Sequence, residues 1–116
     1  MAIVTPTNVK IREYHAIFNQ TNTDEPIVTV LHNTLQGEPV WTRAMQGIFY
    51  ITLEGAFPAD RVLAEVSILN QGTRLTVQEV YDNNALQLQN RMMAAPYSLT
   101  DSIVGGTIII RVYSKP

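Results

Sequence analysis

A β-sandwich is the fold class that this sequence predicts, and three observations predict it. Short runs in which apolar and polar residues alternate recur along the chain, which is the pattern of strands with one buried face. Turn signals separate these runs roughly every 8–12 residues, as is typical of β-sandwiches and jelly rolls. Two runs, 27–32 and 107–113, are rich in β-branched residues. We therefore expect an all-β, jelly-roll-like sandwich of seven to eight short antiparallel strands.

The length of the chain suits one hydrophobic core. Residues 1–116 are expected to form a single domain, with 1–8 as an N-terminal arm or edge segment. Charged residues make up 16%, against an average of about 25%, which indicates either a surface covered by a partner or one rich in Thr, Asn and Gln. The net charge of −2 without a basic cluster argues against nucleic acid or a membrane as a partner.

Cysteine is missing from the sequence, so disulfides, thiol chemistry and cysteine-based metal sites are excluded. This absence fits a cytosolic product or a virion component made in the cytosol, and it leaves secretion open. The first residues lack the charged segment and apolar run of a secretory signal, so none is expected. No apolar run is long enough to span a bilayer.

The first two strands are predicted from alternation and from β-branched residues. Alternate residues from Tyr14 to Phe18 share one face of a strand over 9–20. Residues 21–26 contain no C-cap signal that would end a helix, which argues against a helix over 9–20. These residues are polar and are predicted to form a loop. The β-branched run 27–32 is the second strand.

A hairpin is predicted at the centre of the fold. Its strands are residues 40–45 and 48–54, joined by a two-residue turn that ends at Gly47, which is compatible with a type I′ turn. The segment before it, 33–39, turns the chain, and Gly37 is placed there to take positive φ.

The alternating pattern breaks after this hairpin, over residues 55–60. Pro58 sets a turn or a single helical turn, from which Phe57 reaches into the core. In 61–69 the strict alternation outweighs a moderate helical propensity and predicts a strand. The next strand is expected over 74–81.

The last part of the chain combines strands with a long loop. The Asp-Asn-Asn sequence at 82–84 is a turn signal, and 85–89 forms a short strand. Residues 90–101 are predicted to be a loop that packs over one end of the sheets. Two glycines then precede the last strand, 107–113, whose alternate residues form a core face.

Catalysis and metal binding find little support in the sequence. His15 and His32 both lie in predicted strands, and no spacing brings them together on a metal, so surface or cross-strand positions are favoured. No serine lies in a Gly-x-Ser-x-Gly elbow, and no pair of carboxylates stands out. The turn at 82–84 offers oxygen ligands for calcium, but a plain turn accounts for the same residues. We expect no enzyme activity, no cofactor and no metal.

One face of the predicted hairpin has the composition of an interface. Trp41, Arg43 and Met45 share this face, and burying the tryptophan would draw the arginine inward unless the face meets a partner. A core position for Trp41 is the alternative. Exposed rings of Trp41 or of the tyrosines would instead stack on sugars, so a carbohydrate-binding module is the alternative function.

The last strand is a second interface candidate because it is strongly β-prone and weakly charged. An exposed edge of this kind invites pairing, so the strand either lies centrally in a sheet or pairs with another chain. In the second case Ile109, Arg111 and Tyr113 would contact that chain.

Several runs resemble small β-rich proteins of phages of Bacteroidetes, including crAss-like phages. These runs are 14–16 (Tyr-His-Ala) followed by Gln20, 29–35 (Thr-Val-Leu-His-Asn-Thr-Leu), 40–43 (Val-Trp-Thr-Arg), 55–57 (Gly-Ala-Phe) and 109–113 (Ile-Ile-Arg-Val-Tyr). They extend over most of the chain, and none is a catalytic motif. The sequence departs from the pattern at 44–46 (Ala-Met-Gln), where smaller polar residues are expected, and in the long segment 90–101.

This resemblance implies a non-enzymatic structural virion protein. Its expected role is that of an auxiliary capsid or decoration protein, or of a fibre-associated module. Its expected partners are other virion proteins, such as major capsid or fibre proteins, and further copies of itself in a homo-oligomer or array. Its expected location is the virion, after synthesis in the host cytoplasm.

Overall fold

The computed structural model of the protein describes residues 10–69 and 72–114, and within the second range it describes only the backbone of 78–82. These residues form eight β-strands. The strands are β1 (Ile11–Gln20), β2 (Ile27–Asn33), β3 (Val40–Met45), β4 (Ile48–Thr52), β5 (Val62–Ser67), β6 (Thr73–Asp82), β7 (Ala85–Met92) and β8 (Ile103–Tyr113). One 3-10 turn, Ala59–Arg61, precedes β5. Within these ranges no helix is long and apolar enough to cross a membrane.

The strands are divided equally between two antiparallel sheets. The first sheet has the order β2-β1-β8-β5 and the second has the order β3-β4-β7-β6. Their apolar faces form one shared core, so the predicted β-sandwich is confirmed. The hairpins β1–β2, β3–β4 and β6–β7 each stay within one sheet, and the other connections cross between sheets. This order does not establish the jelly-roll form of the sandwich.

Alternation along the strands builds the core. On β1 the alternate residues Tyr14, Ala16 and Phe18 are buried, as predicted, because successive side chains of a strand point to opposite faces. The other fully buried large apolar side chains come from both sheets and from one bend: Phe49, Ile51, Phe57, Leu86, Leu88, Ile103, Ile108 and Ile110. Phe57 therefore fills the core from the bend before the 3-10 turn, as the sequence predicts.

The choice of strand over helix for β5 is also confirmed. Alternate residues from Val62 to Ile68 pack against the core, whereas Leu63 on the opposite face is exposed. A helix in this place would have distributed the same apolar residues around its whole circumference.

Two predictions about turns are wrong. Gly47 has φ +74° but the residue before it has no positive φ, so the β3–β4 turn is not the type I′ turn, which needs both. In the segment before β3, Gln36 rather than Gly37 takes the left-handed conformation, with φ +67°. A Cβ at Gly37 would lie 2.8 Å from Cδ1 of Leu53, so a larger residue there would require the Leu53 side chain to shift.

The segments around the long loop differ in extent from the prediction. Strand β7 continues to Met92, and β8 begins at Ile103 and includes both glycines, so the loop covers only 93–102. Gly106 lies within the strand, paired with Phe18 on β1, and a Cβ there would lie 2.7 Å from the buried Phe18 ring, so this position requires glycine. The loop does pack over one end of the sheets, where the Thr100 amide donates to the Asn90 carbonyl at 2.9 Å. The predicted arm 1–8 lies outside the described residues.

Candidate functional site

Trp41 lies in the core, which is the alternative to an interface position that the sequence left open. Its side chain is 9% exposed, and its ring centroid lies 4.7 Å from that of Phe18. The indole Nε1 donates to the hydroxyl of Tyr14 at 3.0 Å, in a buried contact between the two sheets. Burial raises the pKa of the Tyr14 phenol, and the hydrogen bond from Trp41 partly opposes this shift. Trp41 therefore packs inside the sandwich and offers no ring to a sugar.

Arg43 binds within the chain, which leaves Met45 as the exposed member of the predicted interface. The Arg43 guanidinium donates from Nε and Nη2 to the two oxygens of Asp101, at 3.1 and 2.8 Å. Asp101 also accepts from the Gly47 amide at 3.0 Å. The bond from Arg43 is the main reason why the pKa of Asp101 is lowered. Arg43 thus fastens the 93–102 loop to the β3–β4 turn, while Met45 remains 55% exposed.

Strand β8 lies centrally, so it cannot pair with another chain. It is hydrogen-bonded to β1 on one side and to β5 on the other. Ile109, Arg111 and Tyr113 are half-buried on the outer face of the first sheet, where Nε of Arg111 donates to Oε1 of Glu13 at 2.9 Å. The six predicted interface residues therefore belong to two separate places and form no common site.

The two histidines are cross-strand neighbours, as favoured from the sequence. His15 and His32 lie opposite each other on β1 and β2, with ring centroids 5.2 Å apart. Oε1 of Glu13 is 3.9 Å from Nε2 of His15. In the described parts of the chain no group of three or more metal-binding side chains is present.

The sugar-binding alternative also loses support from the tyrosines. Tyr14 is buried, and Tyr50 and Tyr113 are half-buried on different sheets. Tyr97, in the 93–102 loop, is the exposed tyrosine among the described side chains. The side chain of Tyr81 lies outside the described part of the structure.

Edge strand β2 is the candidate functional site. The seven residues of this strand include no Asp, Glu, Lys or Arg. Ile27 is 74% exposed, Leu31 is 63% exposed and Val30 is 42% exposed. Exposed edge strands present unpaired N–H and C=O groups, and natural proteins usually protect them with charge, proline or a bulge.

The three other edge strands are protected by charged groups. On β3, the Arg43 amide donates to Oε2 of Glu25 at 2.6 Å, so a carboxylate covers that edge. Strand β5 contains Glu65, and β6 contains Arg74. The edge of β2 therefore differs from the other three in having no charged group, and its own protection is the bulge near its C-terminal end.

The pairing of β2 with β1 determines which part of its edge is regular. Val28, Thr29 and Val30 pair in sequence with β1, and the register then shifts so that Leu31 becomes the extra residue of a bulge. The regular part of the edge is thus 27–30, with Leu31 exposed immediately after it.

Strand β2 was predicted from the sequence, but its position at an edge was not. The missed signal is the absence of charge across the whole run, the same feature that made the last strand a candidate. Position at an edge depends on strand order, which the local pattern does not contain.

Comparison with known proteins leaves the family of this chain open. No protein-family model, curated protein or solved structure matches it. Function is therefore inferred from the residues of the chain and from the resemblance described above.

Proposed function

We propose that this chain is a non-enzymatic structural protein whose copies associate through the edge of β2. The observation that carries this proposal is the combination of an uncharged edge strand with strongly exposed apolar side chains, Ile27 and Leu31. Adding a strand to such an edge supplies main-chain hydrogen bonds and apolar contact together.

A second copy of the chain suits this edge. Most homo-oligomers are symmetric, and a two-fold axis brings one surface against itself. An axis through Thr29 sets the regular segments of two β2 strands antiparallel, with Val28 of one copy opposite Val30 of the other and Ile27 close to the exposed Leu31. Because β2 carries no charged residue, this arrangement places no like charges opposite each other.

The proposed setting is the bacteriophage virion, with this chain as an auxiliary capsid or decoration protein. The resemblance to small β-rich phage proteins supports this setting. The charged fraction of 16% also accords with a surface that is partly covered in an assembly. Major capsid or fibre proteins are the further partners in this proposal, and the host cytoplasm is the place of synthesis.

The double substitution Ile27→Lys with Leu31→Lys tests the role of β2. We expect the unchanged protein to gain mass with concentration in light scattering, and the double variant to remain a monomer over the same range. Two added lysines face two others across the proposed axis, and like charges opposite each other disfavour pairing. Both side chains are exposed, so the free energy of unfolding should change by about 0.5 kcal/mol or less at each site.

The matched control adds the same two charges to other edge strands. Val40 on β3 and Leu63 on β5 are each 58% exposed, so Val40→Lys with Leu63→Lys should associate like the unchanged protein. Equal loss of association in both double variants, or an unchanged protein that stays monomeric at all concentrations, would contradict the proposal.

A further inference from the structure

Two arginines lie directly opposite each other on the outer face of the second sheet. Arg74 of β6 is paired with Arg91 of β7. Like charges in directly opposed positions of an antiparallel pair destabilise it. The ion pairs of arginines in the described part of the chain are made by Arg43, Arg61 and Arg111, and no carboxylate there pairs with Arg74 or Arg91.

A pocket of about 440 Å³ lies against this pair. Its lining residues are Arg74, Thr76, Arg91, Met92, Met93 and Tyr97. The volume falls within the usual range of about 300–1,000 Å³ for sites that bind small molecules. The lining therefore contains two guanidinium groups, two methionine thioethers and one tyrosine ring, and it contains no carboxylate. We call it the arginine pocket.

Arg91 is held in place from within the chain. Its Nε and Nη2 donate to Oε1 of Gln89 at 3.2 and 3.1 Å, and its Nη1 donates to the Tyr97 carbonyl at 3.1 Å. These bonds use three of the five N–H groups of the guanidinium and leave two for a ligand. The backbone of Tyr97 has φ +61°, a value that is uncommon for residues other than glycine. Its side chain is 57% exposed.

We infer that the arginine pocket binds a small organic anion with an apolar body. Its carboxylate or phosphate group lies between Arg74 and Arg91, where the planar guanidinium groups match such oxygens and the bound charge cancels their repulsion. Its apolar body contacts Met92, Met93 and Tyr97. This site lies on the opposite sheet from β2 and is independent of association through that strand.

Four probes separate the contributions of charge and of the apolar body. Phenyl phosphate and benzoate carry both, inorganic phosphate carries charge alone, and benzyl alcohol carries the ring alone. Titration followed by the NMR signals of the methionine methyl groups should show saturable binding of phenyl phosphate or of benzoate. Inorganic phosphate and benzyl alcohol should bind at least tenfold more weakly. The tighter of the two organic anions identifies the preferred acidic group.

Substitutions locate the site. Arg74→Gln and Arg91→Gln should each weaken binding of the preferred anion at least tenfold. Arg12→Gln makes the same change of charge near Lys10, at the far end of the sandwich, and should bind like the unchanged protein. Without ligand, Arg74→Gln should raise Tm by about 1–4 °C, because it removes the repulsion.

Three results would overturn the inference. They are the absence of saturable binding for both organic anions, binding of inorganic phosphate as tight as that of phenyl phosphate, and an equal loss of affinity in Arg12→Gln. The last two would indicate a general attraction of anions to a basic surface rather than a built pocket.

Discussion

Replacing Trp41 with alanine is expected to lower the free energy of unfolding by about 3–5 kcal/mol, the range for large buried aromatic residues. The indole packs on the ring of Phe18 and is almost completely buried. Its removal leaves a cavity between the sheets. It also leaves the buried hydroxyl of Tyr14 without the Trp41 donor, which adds to the cost.

Urea denaturation followed by circular dichroism measures this loss, since the variant has no tryptophan fluorescence. Trp41→Phe keeps an aromatic ring but removes the donor, so it should lose less stability. Val40→Ala, at an exposed neighbouring position, should change stability by about 0.5 kcal/mol or less. A Trp41→Ala protein as stable as the unchanged one would show that the indole is outside the core and would restore it as an interface residue.

Replacing Gln20 with leucine is expected to lower the free energy of unfolding by about 2–4 kcal/mol. Gln20 is 2% exposed at the end of β1. Its Nε2 donates to the carbonyls of Asn22 and Asp24 at 2.7 and 3.0 Å, and its Oε1 accepts from the Ser102 amide at 2.6 Å. Leucine has a similar size but satisfies none of these three backbone groups. The change therefore removes the hydrogen bonds through which Gln20 links the β1–β2 loop to Ser102, next to the start of β8.

Thermal and urea denaturation measure the effect, with Gln89→Leu as the matched control. Gln89 is half-buried on the outer face of β7, and within the described part of the chain it is hydrogen-bonded to the side chains of Gln87 and Arg91. Its replacement should cost less than about 1 kcal/mol, because water can replace these partners. Equal losses in the two variants would show that Gln20 is not the link between the loops.

Local alternation explains why so much of the sandwich could be predicted from the sequence. In a strand the side chains change face at every residue, so the inward sets on β1, β5 and β8 follow directly from the order of apolar residues. Phe57 could be placed in the core because Pro58 marked the bend from which it points.

Contacts between distant residues explain the errors. Trp41 and Arg43 share a face of β3, and no local pattern indicates that Asp101, 58 positions further along the chain, pairs with the arginine. With that partner supplied, Trp41 is buried without leaving an unpaired charge. The left-handed residue before β3 was also misplaced, because the conformational freedom of Gly37 does not by itself determine which residue of the turn takes positive φ, and Gln36 takes it.

Strand order is the property that the sequence leaves open, and the candidate site depends on it. From its composition the last strand was a candidate for an exposed edge, yet β8 is an interior strand and β2 is an edge strand. Both strands are β-prone and weakly charged, so composition alone does not separate them.

Hydrogen–deuterium exchange of the amides of β2, below and above the concentration at which the protein associates, tests the central claim most directly. An antiparallel partner strand takes up the outward amides of residues 27–31, so their exchange should slow on association. The amides on the edges of β3 and β5 should exchange at unchanged rates. Association without added protection of β2, or with protection confined to another edge, would contradict assembly through this strand.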